Sequence, residues 1–207
     1  MAILEVKNLN LGFQCEDIFR QALYDVNFAL HKGKMLSLVG ESGCGKTMSA
    51  MSILNLLPKT ARITSGEILY NGENLLLKNN KQMQKIRGGK IALIPQDPMT
   101  SLNPLYTVGD QLLEVIKIHQ NLQGHQAEEK AIEAFEAVQI PDAKSRLKNY
   151  PHEFSGGMKQ RAIIAMALAC KAEILIADEP TTALDVTIQA QIMKLLNEIK
   201  INNETSI

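Results

Sequence analysis

The sequence has few of the features that mark secreted, zinc-binding or membrane-spanning proteins. It contains no tryptophan, three cysteines and 4% aromatic residues. Cys15, Cys44 and Cys170 are widely spaced and form no CxxC pair, so they indicate neither a disulfide framework nor a zinc site. No stretch approaches the roughly 20 apolar residues that span a bilayer, and the N-terminus lacks an apolar run of signal-peptide length. A reducing cytosol fits these absences, and any membrane role must come through a partner.

The sequence also lacks an excess of charge of either sign. Lys plus Arg and Asp plus Glu number 22 each, which gives a formal net charge of zero. Since a bulk nucleic-acid binder would show a basic face or domain, this balance disfavours that class and leaves only a local patch open. Apolar residues make up 45% of the 207 positions, so one large domain, or a domain with a smaller lobe, can bury a core.

Apolar periodicity predicts an α/β protein with a helical middle. Alternating residues predict antiparallel strands at 3–9 and 22–30, with Phe13 and Phe19 in a loop between them. The apolar run 35–39 predicts a strand buried on both faces, followed by a Gly-rich turn and a helix over 47–57 that ends at Pro58. Further strands are predicted at 66–70, 90–95 and 173–178, and further helices at 108–120, 125–140, 156–170 and 186–201.

Residues 40–47 carry the most specific motif in the chain. Their pattern is G-x-x-x-x-G-K-[ST], the signature of a phosphate-binding loop. Glycines let successive backbone N–H groups point at phosphate oxygens, and the following helix adds its positive N-terminal dipole. Lys46 is predicted to reach the β- and γ-phosphates, and the Thr47 hydroxyl is predicted to ligate Mg²⁺. The predicted phosphate-binding residues are Gly40, Glu41, Ser42, Gly43, Cys44, Gly45, Lys46 and Thr47.

An apolar strand ends in a pair of acids at Asp178 and Glu179. Carboxylates at the carboxyl end of a buried strand suit Mg²⁺ coordination, either direct or through water. The next acid can orient or deprotonate an attacking water. An acid after a buried strand is common, but its combination with the phosphate loop makes Asp178 a predicted metal ligand and Glu179 the predicted catalytic base.

A second Gly-rich segment precedes these acids. Phe154-Ser-Gly-Gly-Met158 resembles the LSGGQ signature of ABC ATPases, with Phe154 in place of Leu and Met158 in place of Gln. Ser155 is a predicted helix N-cap, and glycines at a helix start leave backbone N–H groups open to a phosphate. The resemblance implies a head-to-tail dimer in which the signature contacts ATP on the opposing subunit. The residues implied in that contact are Ser155, Gly156, Gly157 and Met158.

The resemblance to ABC ATPases covers residues 3–207. It implies a P-loop NTPase (RecA-like) core with an N-terminal antiparallel β subdomain and an inserted ABC-type helical subdomain. The implied boundaries are 1–96 and 171–207 for the core with its β subdomain, and 97–170 for the helical subdomain. Gln96 resembles the glutamine that contacts Mg²⁺, and residues 182–185 resemble the loop that communicates across the dimer. Phe13 is the candidate for stacking on adenine, with Phe19 as the alternative.

Longer stretches at 96–111, 150–161 and 176–192 resemble the ATPase subunits of dipeptide and oligopeptide importers. The resemblance implies Mg²⁺-dependent ATP hydrolysis that energises peptide import at the cytoplasmic face of the inner membrane. The implied partners are a second, different ABC ATPase, two membrane permeases and, indirectly, an extracytoplasmic solute-binding protein, with no nucleic acid. The ATPase subunits of nickel importers share much of this sequence, so nickel or another small solute is an alternative cargo. A soluble ABC ATPase of translation or DNA repair is a further alternative.

The resemblance also implies an apolar strand and a histidine beyond the last helix. The chain ends at 205–207, where that strand is expected to begin. The four histidines, His31, His119, His125 and His152, all lie elsewhere in the pattern. We therefore expect a C-terminally truncated ATPase core that binds ATP and hydrolyses it poorly, or a nucleotide-binding remnant that depends on a complete partner.

Overall fold

A computed structural model of the protein describes residues 2–16, 18–182, 185–203 and 205–207. The chain divides into two compact units, Met1–Arg87 with Asn203–Ile207 and Gly88–Asn202. The subdomain boundaries predicted above follow motifs rather than packing, and they stay a prediction.

The first unit is built on a four-stranded antiparallel sheet in the order β2-β1-β3-β4. The strands are β1 (Ala2–Cys15), β2 (Ile18–His31), β3 (Ala61–Tyr70) and β4 (Glu73–Asn74), with helices α1 (Lys46–Ile53) and α2 (Asn80–Ile86). Leu9 and Leu11 of β1 and Ile68 of β3 are fully buried. Each of these residues follows a residue that is less buried, as expected along a half-buried strand. The predicted antiparallel β region is confirmed.

The two N-terminal strands run further than predicted. Phe13 pairs with Arg20 and Gln14 pairs with Phe19, so both aromatic residues lie in the hairpin and the predicted loop is wrong. The register between β1 and β2 shifts at several places between positions 6 and 12. Because each shift interrupts the alternation of apolar and polar residues, the periodicity of the sequence stops short of the real strand ends.

The two backbones of β1 and β3 approach closely at Gly66. Gly66 has a φ of 104°, and a Cβ there would lie 2.6 Å from both the Asn8 carbonyl oxygen and Leu9 Cα. The pairing of β1 with β3 shifts its register between Lys7 and Asn10, so an irregularity lies opposite this glycine. Only glycine combines this backbone conformation with this close approach, which fixes the register of the two strands.

Helix α1 ends four residues before its predicted end. Asn55 has a φ of 50°, in the left-handed region. The N–H groups of Asn55 and Leu56 donate to the carbonyls of Ser52 and Met51. This pair of hydrogen bonds around a left-handed residue is a Schellman motif, which closes a helix. The predicted helix end at Pro58 is therefore wrong.

Residues 35–39 do not form the predicted buried strand. Met35, Leu36 and Leu38 are between 37% and 43% exposed, and Val39 is 93% exposed. The backbone of this segment pairs with Ile207, which accepts from the Leu36 N–H and donates to the Lys34 carbonyl. An apolar strand becomes buried on both faces when strands flank both its edges and layers cover both its faces, and pairing with one residue does not supply this.

The second unit contains two paired parallel strands, β5 (Ile91–Ile94) and β6 (Ile174–Ala177). Ile91 lies opposite Ile174, and Ile94 lies opposite Ala177. The strands predicted at 90–95 and 173–178 are confirmed. Since parallel strands end at the same edge of a sheet, the residues that follow β5 and β6 lie near one another.

The helices of the second unit are α3 (Pro98–Ser101), α4 (Val108–Gln120), α5 (Gly124–Ala137), α6 (Ala143–Arg146), α7 (Gly156–Ala169) and α8 (Val186–Asn203), and α7 packs against β5. The helices predicted near 108–120, 125–140, 156–170 and 186–201 are confirmed. Leu112, Ile116 and Phe135 are fully buried where α4, α5 and α7 pack together. The Phe135 ring meets the Phe154 ring edge to face, with centroids 6.4 Å apart. None of the helices formed by the described residues combines the length and apolar character needed to cross a membrane.

Candidate functional site

Residues 40–47 form a tight turn that leads into α1. Gly43 and Gly45 have φ values of 81° and 101°, which are costly for residues with a Cβ. A Cβ on Gly45 would lie 2.3 Å from Leu23 Cδ2, and one on Gly40 would lie 2.5 Å from Cys44 Sγ. The glycines of the motif are therefore required by the shape of the turn, which is the shape that a phosphate loop needs.

The Lys46 side chain folds back over this turn. Its Nζ donates to the carbonyls of Gly40 and Glu41, each at 2.9 Å, and lies 3.9 Å from Cys44 Sγ. Glu41, Ser42, Gly43 and Cys44 are exposed, and Thr47 is half-buried as the second residue of α1. A phosphate oxygen can replace these neutral carbonyls, since a hydrogen bond between two ionised groups is stronger than one to a neutral acceptor.

The two candidates for the adenine-stacking residue, Phe13 and Phe19, lie on opposite faces of the β1–β2 hairpin. Phe13 pairs with Arg20, whereas Phe19 pairs with Gln14. Successive residues of a strand face opposite sides, so these two pairs do too. The Phe19 ring covers Gly12, where a Cβ would lie 2.4 Å from the Phe19 Cζ. Only one of the two rings can therefore face a given ligand.

The face that carries Phe13 is also the face that contacts the phosphate loop. β1 pairs with β3 without a register shift over residues 11–13, so Leu11 and Phe13 point to the same side. Leu11 pairs with Leu23, and Leu23 is the residue that packs against Gly45. This geometry favours Phe13 over Phe19 as a contact of a nucleotide held by the loop.

The carboxyl edge of the parallel strand pair gathers three of the predicted residues. Asp178 is 6% exposed, and its N–H donates to the Ile94 carbonyl at 3.0 Å, which extends the strand pairing beyond β6. Gln96 lies two residues after β5, and its Nε2 donates to Glu179 Oε2 at 2.8 Å. The structure therefore brings Gln96 to the predicted catalytic carboxylate, next to a buried acid.

Glu179 has an unusual backbone conformation and a partner that the sequence did not reveal. Its φ is 44°, in the left-handed region that non-glycine residues rarely adopt. The Thr182 N–H donates to the Glu179 carbonyl at 3.2 Å, and Thr182 Oγ1 lies 3.0 Å from Glu179 Oε2. The available signal was a hydroxyl three residues after an acid, in a turn that contains Pro180. In the same loop, Gln189 Nε2 of α8 donates to the Thr181 carbonyl at 3.0 Å.

The signature segment opens α7 as predicted. The Ser155 Oγ accepts from the Met158 N–H at 3.3 Å, which confirms Ser155 as the N-cap. Ser155 is exposed, while Gly156, Gly157 and Met158 are half-buried. Gly157 lies against α8, because a Cβ there would be 3.2 Å from Ile188 Cγ2. The N-terminus of α7 is thus accessible at Ser155 and backed by α8 at Gly157.

Arg161, three residues after the signature, links α7 by hydrogen bonds to the end of α5 and to α8. The Arg161 guanidinium is buried, and it donates to the Val138 carbonyl and to Gln191 Oε1, each at 2.7 Å. Burial lowers the pKa of Arg161, but a guanidinium stays protonated in a protein, so the charge is retained. Sequence reasoning gave Arg161 no role, since nothing in the motif shows which way its side chain points.

The predicted site residues are divided between the two units. Phe13 and the loop 40–47 belong to the first unit, whereas Gln96, Asp178, Glu179 and the signature belong to the second. Of the predicted dimer-communication loop at 182–185, Ala183 and Leu184 lie outside the described residues. A groove of about 720 Å³ in the second unit, lined by α4, α5 and α6, contains none of the predicted site residues.

A phosphate loop at a helix N-terminus and an acid pair after a parallel strand define the class of P-loop nucleotide-binding proteins. Within this class, a family model described as "ABC transporter" matches residues 23–182, which include the loop, Gln96, the signature and both acids. The chain belongs to the ABC transporter family. The resemblance stated from the sequence is confirmed, and membership of the family implies nucleotide binding.

Two curated relatives match nearly the whole chain. A "probable peptide ABC transporter ATP-binding protein" of Sinorhizobium fredii is 53% identical over 99% of this chain and 62% of its own length. The oligopeptide transport ATP-binding protein OppD of Escherichia coli is 49% identical over 100% of this chain and 61% of its own length. The chain therefore spans only 61–62% of the length of these relatives.

The fold matches solved structures of ATP-binding cassettes. One is the dimeric cassette MJ0796 in a post-hydrolysis state, bound to ADP and Pi. It superposes with a TM-score of 0.85 and 27% identity, and the match covers 98% of this chain and 85% of the cassette. The predicted fold class, an α/β P-loop NTPase with an antiparallel β region and an ABC-type helical region, is confirmed.

Proposed function

We propose that the chain is the ATP-binding and ATP-hydrolysing subunit of an ABC importer that takes up dipeptides or oligopeptides. The observation that carries the proposal is the hydrogen bond of Gln96 to Glu179 at the carboxyl edge of two parallel strands. The phosphate loop at 40–47 and the signature that opens α7 support the same activity. The names of the relatives, a peptide transporter subunit and an oligopeptide transport protein, support peptides as the cargo.

ATP would be held by its phosphates and its base. The backbone N–H groups of the loop and the dipole of α1 would receive the phosphates, and Lys46 Nζ would exchange its carbonyl partners for β- and γ-phosphate oxygens. Phe13 would stack on adenine, since it shares a face of the hairpin with the side chain that contacts Gly45.

The proposed Mg²⁺ ligands are the Thr47 hydroxyl, the Gln96 amide oxygen and the Asp178 carboxylate. All three are oxygen donors, which is the ligand type that Mg²⁺ prefers when it is shared with phosphate. Gln96 donates to Glu179 through its amide nitrogen, so this hydrogen bond does not occupy the amide oxygen proposed as a Mg²⁺ ligand. Bound Mg²⁺ would neutralise charge on the phosphates. Glu179 would take the proton of the water that attacks the γ-phosphorus.

The proposed partners follow from the signature. Ser155, Gly156, Gly157 and Met158 would contact ATP on an opposing subunit in a head-to-tail dimer, because Ser155 is exposed at the N-terminus of α7. We expect that subunit to be a second, different ABC ATPase. The pair would act on two membrane permeases at the cytoplasmic face of the inner membrane, with a solute-binding protein on the other side.

Alkylation of Cys44 is expected to block ATP binding. Cys44 is exposed, and its Sγ lies under Gly40 and 3.9 Å from Lys46 Nζ, so an adduct would fill the loop. Burial raises the pKa of the Cys170 thiol to about 11, so Cys170 should stay unmodified near neutral pH and serve as an internal control. A Cys15→Ser variant is labelled with iodoacetamide in the presence and absence of ATP. Mass spectrometry measures the modification of Cys44, and the ATP affinity of the labelled protein is then compared with that of the unlabelled protein. Full modification at Cys44 with unchanged ATP affinity would contradict the loop assignment.

Deletion of the gene is expected to abolish uptake of radiolabelled dipeptides or tripeptides into the cell that makes the protein. Wild-type protein should restore uptake, and the Lys46→Ala variant, expressed at the same level, should not. Nickel-63 uptake is measured in parallel. Loss of nickel uptake alone would contradict peptides as cargo, and unchanged uptake of all these solutes would contradict an importer.

A further inference from the structure

We infer that Thr182 is a positioning residue for the Glu179 carboxylate, and that its hydroxyl holds this carboxylate in the orientation needed for hydrolysis. The inference rests on the proposed function of Glu179 as the catalytic base. It assigns a task within its own subunit to the first residue of the predicted dimer-communication loop, which lies outside the phosphate loop, the acid pair and the signature.

The first observation is that two donors reach the same carboxylate oxygen. Glu179 Oε2 accepts from Gln96 Nε2 at 2.8 Å and from Thr182 Oγ1 at 3.0 Å. One donor comes from the segment after β5 and the other from the loop after β6. Two donors that come from different segments restrict the rotation of this carboxylate more than either donor does alone.

The second observation is the strained backbone beneath this carboxylate. Glu179 has a φ of 44°, and a non-glycine residue keeps such a conformation only when its surroundings impose it. The Thr182 N–H donates to the Glu179 carbonyl at 3.2 Å and closes the turn. Thr182 therefore holds Glu179 twice, through its main chain and through its side chain.

These two contacts have different consequences. Thr182 Oγ1 lies 3.2 Å from the Glu179 carbonyl as well as 3.0 Å from Oε2. A hydroxyl has one proton, and the carbonyl already accepts from the Thr182 N–H, so the carboxylate is the better acceptor for it. A substitution that removes only the hydroxyl should leave the turn closed and take this donor away from the carboxylate.

Thr182 also differs from Gln96 in what a substitution would disturb. Gln96 is a proposed Mg²⁺ ligand, so replacing it changes metal binding and carboxylate position together. In the proposed function, the Thr182 hydroxyl contacts neither the nucleotide nor the metal ion. Its loss should therefore change the rate of hydrolysis and leave the affinity for ATP as it is.

The test is a comparison of Thr182→Val, Thr182→Ser and Thr181→Val in the protein as its cell makes it, purified with its natural partner subunits. Valine keeps the shape of threonine without the hydroxyl, and serine restores the hydroxyl. Thr181→Val is the matched control, because Thr181 accepts from Gln189 through its main-chain carbonyl, which valine keeps. We expect Thr182→Val to lower kcat by about 10- to 100-fold with an unchanged KM for ATP. Thr182→Ser should stay near wild type, as should Thr181→Val.

A double substitution separates this inference from the proposed function. If Thr182 acts through Glu179, adding Thr182→Val to Glu179→Gln should cause no further loss. A wild-type kcat for Thr182→Val beside an impaired Glu179→Gln overturns the inference alone, as does an equal loss from Thr182→Val in both backgrounds. A wild-type rate for Glu179→Gln overturns the inference together with the proposed catalytic base.

Discussion

Glu179→Gln is expected to bind ATP as tightly as the wild-type protein and to lose about 10²- to 10⁴-fold in turnover. Glutamine has the shape of glutamate, and its carbonyl oxygen can still accept from Gln96 Nε2 and from the Thr182 hydroxyl, which hold Glu179 now. The amide cannot take a proton from water, so the geometry of the site survives and its base is lost. Single-turnover hydrolysis of radiolabelled ATP measures the rate, and binding of a fluorescent ATP analogue measures affinity.

The matched control for this substitution is Glu173→Gln. Glu173 lies immediately before β6, at the opposite end of this strand from Glu179, and its Oε1 lies 2.7 Å from Lys90 Nζ. Both substitutions remove one negative charge from the second unit, but only one removes a carboxylate at the carboxyl edge of the strand pair. Equal rates for wild type and Glu179→Gln in the complete protein would exclude Glu179 as the base.

Lys46→Ala is expected to abolish ATP binding. The Lys46 ammonium is held at the mouth of the loop by the carbonyls of Gly40 and Glu41, and it is the cation placed to meet the phosphates. Because those two residues are exposed, water can take over their carbonyls when the side chain is removed, and the turn should keep its shape. The Tm without nucleotide should therefore stay close to that of the wild type, while ATP no longer raises it.

Lys59→Ala provides the comparison for Lys46→Ala. Lys59 is exposed in the same unit and outside the loop, so its removal changes the net charge equally and should leave ATP affinity unchanged. Isothermal titration of both variants with ATP and Mg²⁺ distinguishes a local effect from a general electrostatic one. Tight binding by Lys46→Ala would contradict the assignment of residues 40–47 as the phosphate loop.

The features that were predictable from the sequence are those set by local pattern. Helix α4 covers 108–120 as predicted, because a strong amphipathic repeat begins after the capping residue Thr107, whose side chain accepts from the Asp110 N–H at 3.0 Å. Ser155 caps α7 in the same way, since its Oγ accepts from the Met158 N–H. The strands at 91–94 and 174–177 were recognisable as short apolar runs between turn residues.

The features that were missed depend on contacts between distant parts of the chain. The apolar run 35–39 has the composition of a buried strand, but its burial depends on flanking strands that composition does not specify. The early end of α1 depends on Asn55 taking a left-handed conformation, which Asn tolerates without requiring it. The contact of Thr182 with Glu179 depends on the strained turn between them, and a hydroxyl three residues after an acid does not specify the positive φ of Glu179.

Helix α8 touches both the signature and the loop that carries the proposed base. Its Ile188 side chain lies against Gly157, and one residue later Gln189 holds the Thr181 carbonyl. The start of α8 is thus in contact with both segments. In a head-to-tail pair of subunits, the signature would contact the partner's nucleotide, and Glu179 would act on the nucleotide of its own chain. The two contacts of α8 would then couple nucleotide binding at one site to hydrolysis at the other.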